Sequence, residues 1–512
     1  MQGSGNAADQ GDGAHPLGLR HAVTSATGAT FAIFAMDRVV QVAFLAVLAR
    51  LLLPAEFAVA AAASLFVSLV TLAAHMGVGS ALVQRPGLTE HTVLTARTMV
   101  VGAAVILCIA AEFAAPLVGG WFRLPEVTDA VRVLVPVCVI QAITFAPNAL
   151  LTRRLRARDL SLIDLCSGIV SQGLVAIPLA LMGWSYWALV AGALTQALVR
   201  MTAILTMQRL PLRLPFDASE ARRLWSRGVG FSLTGFLQRA TAGSDRLIVG
   251  RFLPATDLGL YARANGLMAF PAALYGAVAD RVAFPAFARV QTEPRRLGAA
   301  YSQAIALTAL VGAPVTALLV LLGPEVIRFI LGPNWLGAIA PFKILAAAAY
   351  FRMADRVNGT LLRGAGRPYL MAGGQVVIAA AMIVGCLWAA PRGISAVAVV
   401  VVGASVLSYL LLTALAMRVA GLSLGGLARA HASPLAAAAL VVAVVWPLTY
   451  VARSQEWSAF ATLAVAGAAL ATVGAPALLL MPRLFLGSAG SEAASTLVKQ
   501  VRAALAGRPQ PS

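Results

Sequence analysis

The chain is poor in charge. Only 12% of its 512 residues are Asp, Glu, Lys or Arg, against about 25% in a water-soluble globule. The remainder is 60% hydrophobic, with a mean hydropathy of +0.84. So little charge excludes a soluble fold and requires long helices in lipid. Lysine is almost missing: Lys343 and Lys499 are the only two, and arginine supplies the rest of a net charge of +19. The four cysteines, Cys108, Cys138, Cys166 and Cys386, stand singly in different apolar stretches without metal-ligand spacing. They read as small buried hydrophobes, and His75 and His91 are equally isolated, so neither a disulfide, a metal nor another cofactor is expected. The N-terminus, MQGSGNAADQGDGAHPLGLRHAVTSA, has no apolar core or cleavage site ahead of the first span and reads as a tail, not a signal peptide.

What is present is a series of apolar runs. At about 20 residues per crossing, they predict an all-α polytopic membrane protein with fourteen helices, near 28–52, 57–83, 92–118, 128–151, 160–182, 184–207, 228–252, 257–284, 297–322, 336–361, 369–390, 393–418, 434–452 and 457–481. The expected organisation is a tail (1–27), a six-helix lobe (28–208), a linker (209–227), a second six-helix lobe (228–418), two further helices (419–482) and a second tail (483–512). Arginines concentrate in alternate loops, including Arg153, Arg154, Arg156 and Arg158, then Arg209, Arg213, Arg222, Arg223 and Arg227. Because cytoplasmic loops carry the excess of Arg, this asymmetry places both termini in the cytoplasm. It also accounts for the basic pI of about 11.2 without nucleic acid, for which no basic, aromatic-interleaved soluble domain exists. In the linker, the sequence from Asp217 to Glu220 predicts a short capped surface helix carrying Arg222, Arg223 and Trp225. Apolar residues at helical spacing predict a second surface helix over 491–505.

One unit occurs twice. Arg38, Arg50 and Glu56 are followed, each 201 residues later, by Arg239, Arg251 and Asp257, while Pro54 and Pro254 are out of step by one. With six spans per unit, the second starts on the same side as the first, so the lobes are expected to be related by a pseudo-two-fold axis along the membrane normal. A substrate site between them follows from that arrangement. Pro147, Pro178, Pro271 and Pro314 lie inside spans, where each removes a backbone donor.

Ionisable residues inside spans narrow the site. Each costs about 2.5–3.5 kcal/mol at a helix centre on insertion scales, so such groups face protein or a watery cavity. Glu112, Arg200, Arg281 and Arg356 lie near span ends, where snorkelling to the headgroups explains them. Arg38 and Arg239 occupy equivalent places in the two repeats, and with Arg246 and Arg263 they form the candidate substrate-binding set. A guanidinium stays charged and offers paired donors, which suits phosphate. Asp37, Asp245 and Asp355 are candidates for holding these arginines or for ion coupling.

Three stretches carry a family resemblance: LARLLLPAEFAVAAAASLF (48–66), HMGVGSALVQRPGLTEHTVLTA (75–96) and DRLIVGRFLPATDLGLYARANGL (245–267). They resemble the polysaccharide transporter branch of the multidrug/oligosaccharidyl-lipid/polysaccharide exporter superfamily, especially Wzx-type flippases of the colanic-acid subtype. The likeness covers residues 20–480, with Ala58 standing where the family often has glycine. The resemblance implies a bacterial inner-membrane flippase, not an enzyme, which moves undecaprenyl-pyrophosphate-linked oligosaccharide for exopolysaccharide or O-antigen synthesis by alternating access around a cationic cavity. Implied partners are the lipid-linked oligosaccharide, membrane lipids, and a polysaccharide polymerase and glycosyltransferases. Two alternatives stay open: a multidrug exporter of the same superfamily, for which an acidic or aromatic cavity would be expected, and a membrane enzyme of glycan assembly, for which no paired-acid motif stands out.

Overall fold

The structure is a computed structural model that describes residues 16–75, 78, 89–154, 156–210, 213, 215–366 and 368–474. The side chains of 16–29, 31, 226–237, 240, 277–278, 280–282, 285, 368–369, 372 and 474 are not described. No strand occurs among the described residues. The helices are α1 (Pro16–Leu51), α2 (Pro54–His75), α3 (Glu90–Phe122), α4 (Pro125–Arg153), α5 (Ala157–Leu181), α6 (Trp187–Met207) and α7 (Ala218–Phe252). They continue with α8 (Ala255–Arg289), α9 (Pro294–Leu321), α10 (Pro333–Ala346 with Ala349–Gly364), α11 (Pro368–Ala389), α12 (Ile394–Ala420), α13 (Leu424–Ser454) and α14 (Ala459–Ala469). Most of residues 76–88, the end of the last expected span beyond 474 and the expected tail helix over 491–505 lie outside the described residues.

Ten helices among the described residues are long and apolar enough to cross a membrane, and the bent α10 makes eleven. The chain is therefore an all-α polytopic membrane protein. α7 and α8 span 35 residues each, ample length at about 1.5 Å per residue, yet they fall outside that set. Their charges are the reason: Arg239, Asp245 and Arg246 on α7 and Arg263 on α8 are too polar for a helix surrounded by lipid.

Four local features depart from expectation. The short linker helix is the beginning of α7: Asp217 caps it by accepting from the backbone N–H of Ser219 (2.8 Å) and Glu220 (3.2 Å), and the helix then runs unbroken to Phe252. The Ser219 hydroxyl, together with these backbone hydrogen bonds, holds the exposed Asp217 carboxyl below its ordinary range. α5 widens into a π-helical segment over Ile169–Ala176, immediately before Pro178, whose missing N–H cannot continue regular i→i−4 bonding. α10 bends by 47° between Ala346 and Ala349 without a proline or glycine at the break. Cys138 and Cys386 are buried as expected, but Cys166 is exposed.

The repeat explains the proline that is out of step. α1 and α7 end at Leu51 and Phe252, and α2 and α8 begin at Pro54 and Ala255, so the turns keep the 201-residue interval. Pro54 is the first helical residue, whereas Pro254 is the N-cap. The two halves of the chain meet at these turns. In lipid, helices gain no hydrophobic drive from association, so close van der Waals contact between small residues has to supply it. The buried Ala58, Ala62 and Ala63 of α2 and Gly259 of α8 meet that need. At Gly259 the approach is closest, for a Cβ there would sit 1.8 Å from the Pro54 carbonyl oxygen.

Reciprocal hydrogen bonds close the same end. Arg50 of α1 donates to the Phe329 carbonyl (2.7 Å), in the short helix Gly323–Ile330 that precedes α10. Its repeat counterpart Arg251 donates to the Trp121 carbonyl at the end of α3 (3.4 Å). Trp121 and Phe329 are themselves equivalent, since each lies four residues before the proline that opens the next helix, Pro125 or Pro333. Each arginine thus reaches the carbonyl end of a helix in the other half, where the helix dipole favours a cation. Trp335 adds a donation from Nε1 to the Ala49 carbonyl (2.7 Å) and meets Phe57 edge-on at 5.1 Å.

Candidate functional site

Beneath these turns lies a chamber of about 700 Å³, walled by α1, α2, α5, α6, α7 and α8. Arg38, Arg246 and Arg263 line it, with Gln41, Gln172 and Gln196 as neutral hydrogen-bonding neighbours, and no acid is among its described lining residues. Gln172 projects from the π-helical segment of α5, and Gly168, just before that segment, also lines the chamber. Arg38 donates from NH1 to Gln41 Oε1 (2.9 Å), and Gln41 Nε2 donates in turn to Asp37 Oδ2 (2.9 Å). Arg246 donates from NH2 to the Ala242 carbonyl (3.2 Å), and the Arg263 guanidinium stacks over Phe57 at 4.6 Å.

The three arginines share one deficiency. The Nε of each is buried and has no hydrogen-bond partner among the described residues. The neighbouring acids do not repair it: Asp37 Oδ2 and Asp245 Oδ1 each stand 4.0 Å from the Nε of the following arginine, near enough to balance charge but not to accept a hydrogen bond. These buried Nε atoms are closed to the chamber, and what the three guanidiniums offer it is positive charge, which suits an anion.

A second chamber of about 500 Å³ adjoins the first and shares Ser64, Ser68 and Gln196 with it. Arg239 lines this second chamber, whereas Arg38 lines the first. Arg200 and Asp164 also line it, joined by a 2.7 Å hydrogen bond from Arg200 Nε.

A sequence profile of the family described as "Polysaccharide biosynthesis protein" matches residues 47–340, more than half of the chain. The chain belongs to the polysaccharide biosynthesis protein family. This family member is 27% identical over 298 residues to the teichuronic acid biosynthesis protein TuaB of Bacillus subtilis, covering 57% of this chain and 61% of TuaB. It is 27% identical over 307 residues to the succinoglycan biosynthesis transport protein ExoT of Rhizobium meliloti, covering 59% and 60%. The chain thus spans about three-fifths of the length of these relatives. Its fold is that of the lipid II flippase MurJ in an inward closed conformation, with a TM-score of 0.69 at 10% identity over 89% of this chain and 99% of that one. An inward-facing multidrug resistance MATE family transporter aligns with a TM-score of 0.59 at 15% identity, over 76% and 95%.

The predicted acids Asp37, Asp245 and Asp355 of this polysaccharide biosynthesis protein line neither chamber. Asp37 is buried behind Arg38. Asp245 is buried in a network that sequence reading did not assemble: its Oδ2 accepts from Tyr261 Oη (2.8 Å) and Asn265 Nδ2 (3.0 Å), and Arg352 NH1 donates to Asn265 Oδ1 (3.1 Å). Tyr261 and Asn265 are four residues apart and so share a helix face, a signal that was available. Asp355 lines neither chamber, and its Oδ1 has no hydrogen-bond partner among the described residues. Of the charges expected near span ends, Glu112 faces Arg132 at 3.6 Å and Arg200 is held by Asp164. The Asp280 and Arg281 side chains lie outside the described residues.

Proposed function

We propose that the protein is a flippase that carries undecaprenyl-pyrophosphate-linked oligosaccharide outward across the bacterial inner membrane, for exopolysaccharide or O-antigen assembly, and that it acts by transport and not catalysis. The observation that carries this reading is the set of three guanidiniums, Arg38, Arg246 and Arg263, lining one chamber with no acid among its described lining residues. A diphosphate supplies paired acceptor oxygens and negative charge, the two things this wall lacks. Membership of the polysaccharide biosynthesis protein family supports it, as do relatives named for teichuronic acid biosynthesis and succinoglycan transport and the fold shared with a lipid II flippase.

In this reading residues 28–208 and 228–418 form two lobes, 209–227 links them, and the pair within 419–482 follows. Both termini lie in the cytoplasm, so the turns at 51–54 and 252–255 form a sealed gate on the far side. Arg38, Arg246 and Arg263 hold the diphosphate, while Arg239 meets the attached glycan from the adjoining chamber. Asp37 and Asp245 orient the arginines that follow them, and Asp355 serves ion coupling. A polymerase and glycosyltransferases act on the same substrate before and after it is flipped.

The fold is shared with MATE multidrug transporters, which favours multidrug export as a second reading. Proteoliposomes separate the two. Translocation of a fluorescent polyprenyl-diphosphate oligosaccharide, with no efflux of an organic cation such as ethidium, is expected. Ethidium transport without movement of the lipid-linked glycan would replace the first reading with the second.

A further inference from the structure

The second chamber has a different chemistry from the first. It lies largely within the first half of the chain, walled by α2, α4, α5 and α6, with Arg239 of α7 reaching in from the second half. Its neutral hydrogen-bonding groups include Gln141, Thr144 and Gln196, and His75 is stacked on Phe145 at 5.2 Å and 28°. A volume of about 500 Å³ is that of a small-ligand pocket, which lie in the range of roughly 300–1,000 Å³. Amide and hydroxyl side chains around a cavity of that size match the hydroxyl groups of sugars.

Three observations give this chamber a charge preference. His75 Nε2 is buried on its wall without a hydrogen-bond partner among the described residues. Arg239 is exposed to the chamber and forms no hydrogen bond or ion pair among the described residues. Arg200 is engaged through its Nε by Asp164, the one acid among the described residues of the wall. Two arginines against a single carboxylate leave an unbalanced positive charge, and the unbalanced member is Arg239.

Resting on the diphosphate reading of the first chamber, we propose that the second chamber receives the sugars nearest the diphosphate, and that Arg239 reads a carboxylate on one of them. The contact of the chambers at Ser64, Ser68 and Gln196 gives the geometry: a diphosphate held by Arg38, Arg246 and Arg263 directs its attached glycan through that opening toward Arg239. Arg239 is then a specificity residue for acidic over neutral glycans, distinct in role from its repeat counterpart Arg38.

The test is equilibrium binding to the full chain in nanodiscs of three ten-carbon isoprenyl diphosphates: one bare, one carrying a glucose–glucose disaccharide, and one carrying a glucose–glucuronic acid disaccharide. The wild type is expected to bind the acidic ligand about tenfold more tightly than the neutral one, as one charge-assisted hydrogen bond gives. Arg239→Gln is expected to abolish that difference and leave the bare diphosphate unchanged. Equal affinity of the wild type for the acidic and neutral ligands would overturn the proposal, as would an Arg239→Gln loss as large for the bare diphosphate as for the acidic ligand. Gln141→Leu provides an arm that keeps every charge: it should weaken both sugar-bearing ligands and spare the bare one, and no selective loss would overturn the placing of sugars in this chamber. Arg38→Gln should weaken all three ligands alike. Failure of that arm alone would sink the diphosphate reading of the first chamber while leaving the sugar preference of the second standing.

Discussion

Gly259→Ala is the sharpest perturbation the fold offers. An added Cβ would lie 1.8 Å from the Pro54 carbonyl oxygen, 2.6 Å from its carbon and 3.1 Å from its Cα, and all three are backbone atoms that cannot rotate away. Ordinary contact begins at 3.4 Å, so the N-terminal turns of α2 and α8 have to part by more than an ångström. Overpacking of this kind costs about 1–3 kcal/mol. Intrinsic propensity points the other way, since alanine favours a helix by about 1 kcal/mol over glycine. The helix itself is therefore strengthened while the sealed end is weakened. A shift of about 1–3 kcal/mol between sealed and open states changes their ratio roughly 5–150-fold. Nitroxides at Leu53 and Leu336, both exposed near the seal on opposite halves, report this by electron–electron distance measurement on variants otherwise free of cysteine. The expected result is a second, longer distance in Gly259→Ala that is minor in the parent, together with slowed flipping. An unchanged distance distribution would refute the claim that this contact defines the sealed state.

Arg50→Ala should also populate the longer distance, and more strongly than Arg251→Ala, because the Arg50 hydrogen bond is 2.7 Å and the Arg251 bond 3.4 Å; the same label pair checks the order, and a reversed order would contradict the geometry. Replacing Cys108, Cys138, Cys166 and Cys386 together with alanine should leave flipping largely intact, measured in proteoliposomes at matched protein levels; loss of flipping would mean that a thiol has a role. Topology reporters fused at Gly183, between α5 and α6, and at Ser219, at the start of α7, should report opposite sides of the membrane, and finding them on one side would overturn the proposed orientation.

The membrane character of the chain was legible because apolar runs and arginine placement follow directly from the cost of charge in lipid. The turns at 50–54 and 251–255 were legible for a related reason, as their residues recur at one interval. The equivalence of Trp121 and Phe329 was not: GWFRLP and RFILGP share little, and what the positions have in common is a carbonyl oxygen, which any residue supplies. The bend between Ala346 and Ala349 has no breaker residue to announce it. Within the site, charge drew attention to Arg38, Arg239, Arg246 and Arg263, but Gln41, Gln172 and Gln196 carry no insertion penalty large enough to mark them. The repeat interval paired Arg38 with Arg239, yet the two line different chambers, because side chains at equivalent backbone positions meet different neighbours once the halves have diverged.

The most direct test of the account is flipping of a lipid-linked oligosaccharide in Arg38→Lys, Arg246→Lys and Arg263→Lys, with membrane levels checked, alongside the doubly neutral Asp37→Asn/Arg38→Gln. Lysine keeps the positive charge but loses the planar fork and its Nε–H, so each Lys variant should lose flipping by about tenfold or more, and the doubly neutral variant should stay inactive. Full flipping in the Lys variants, or rescue in the doubly neutral variant, would contradict diphosphate recognition and reduce these arginines to structural ion pairs.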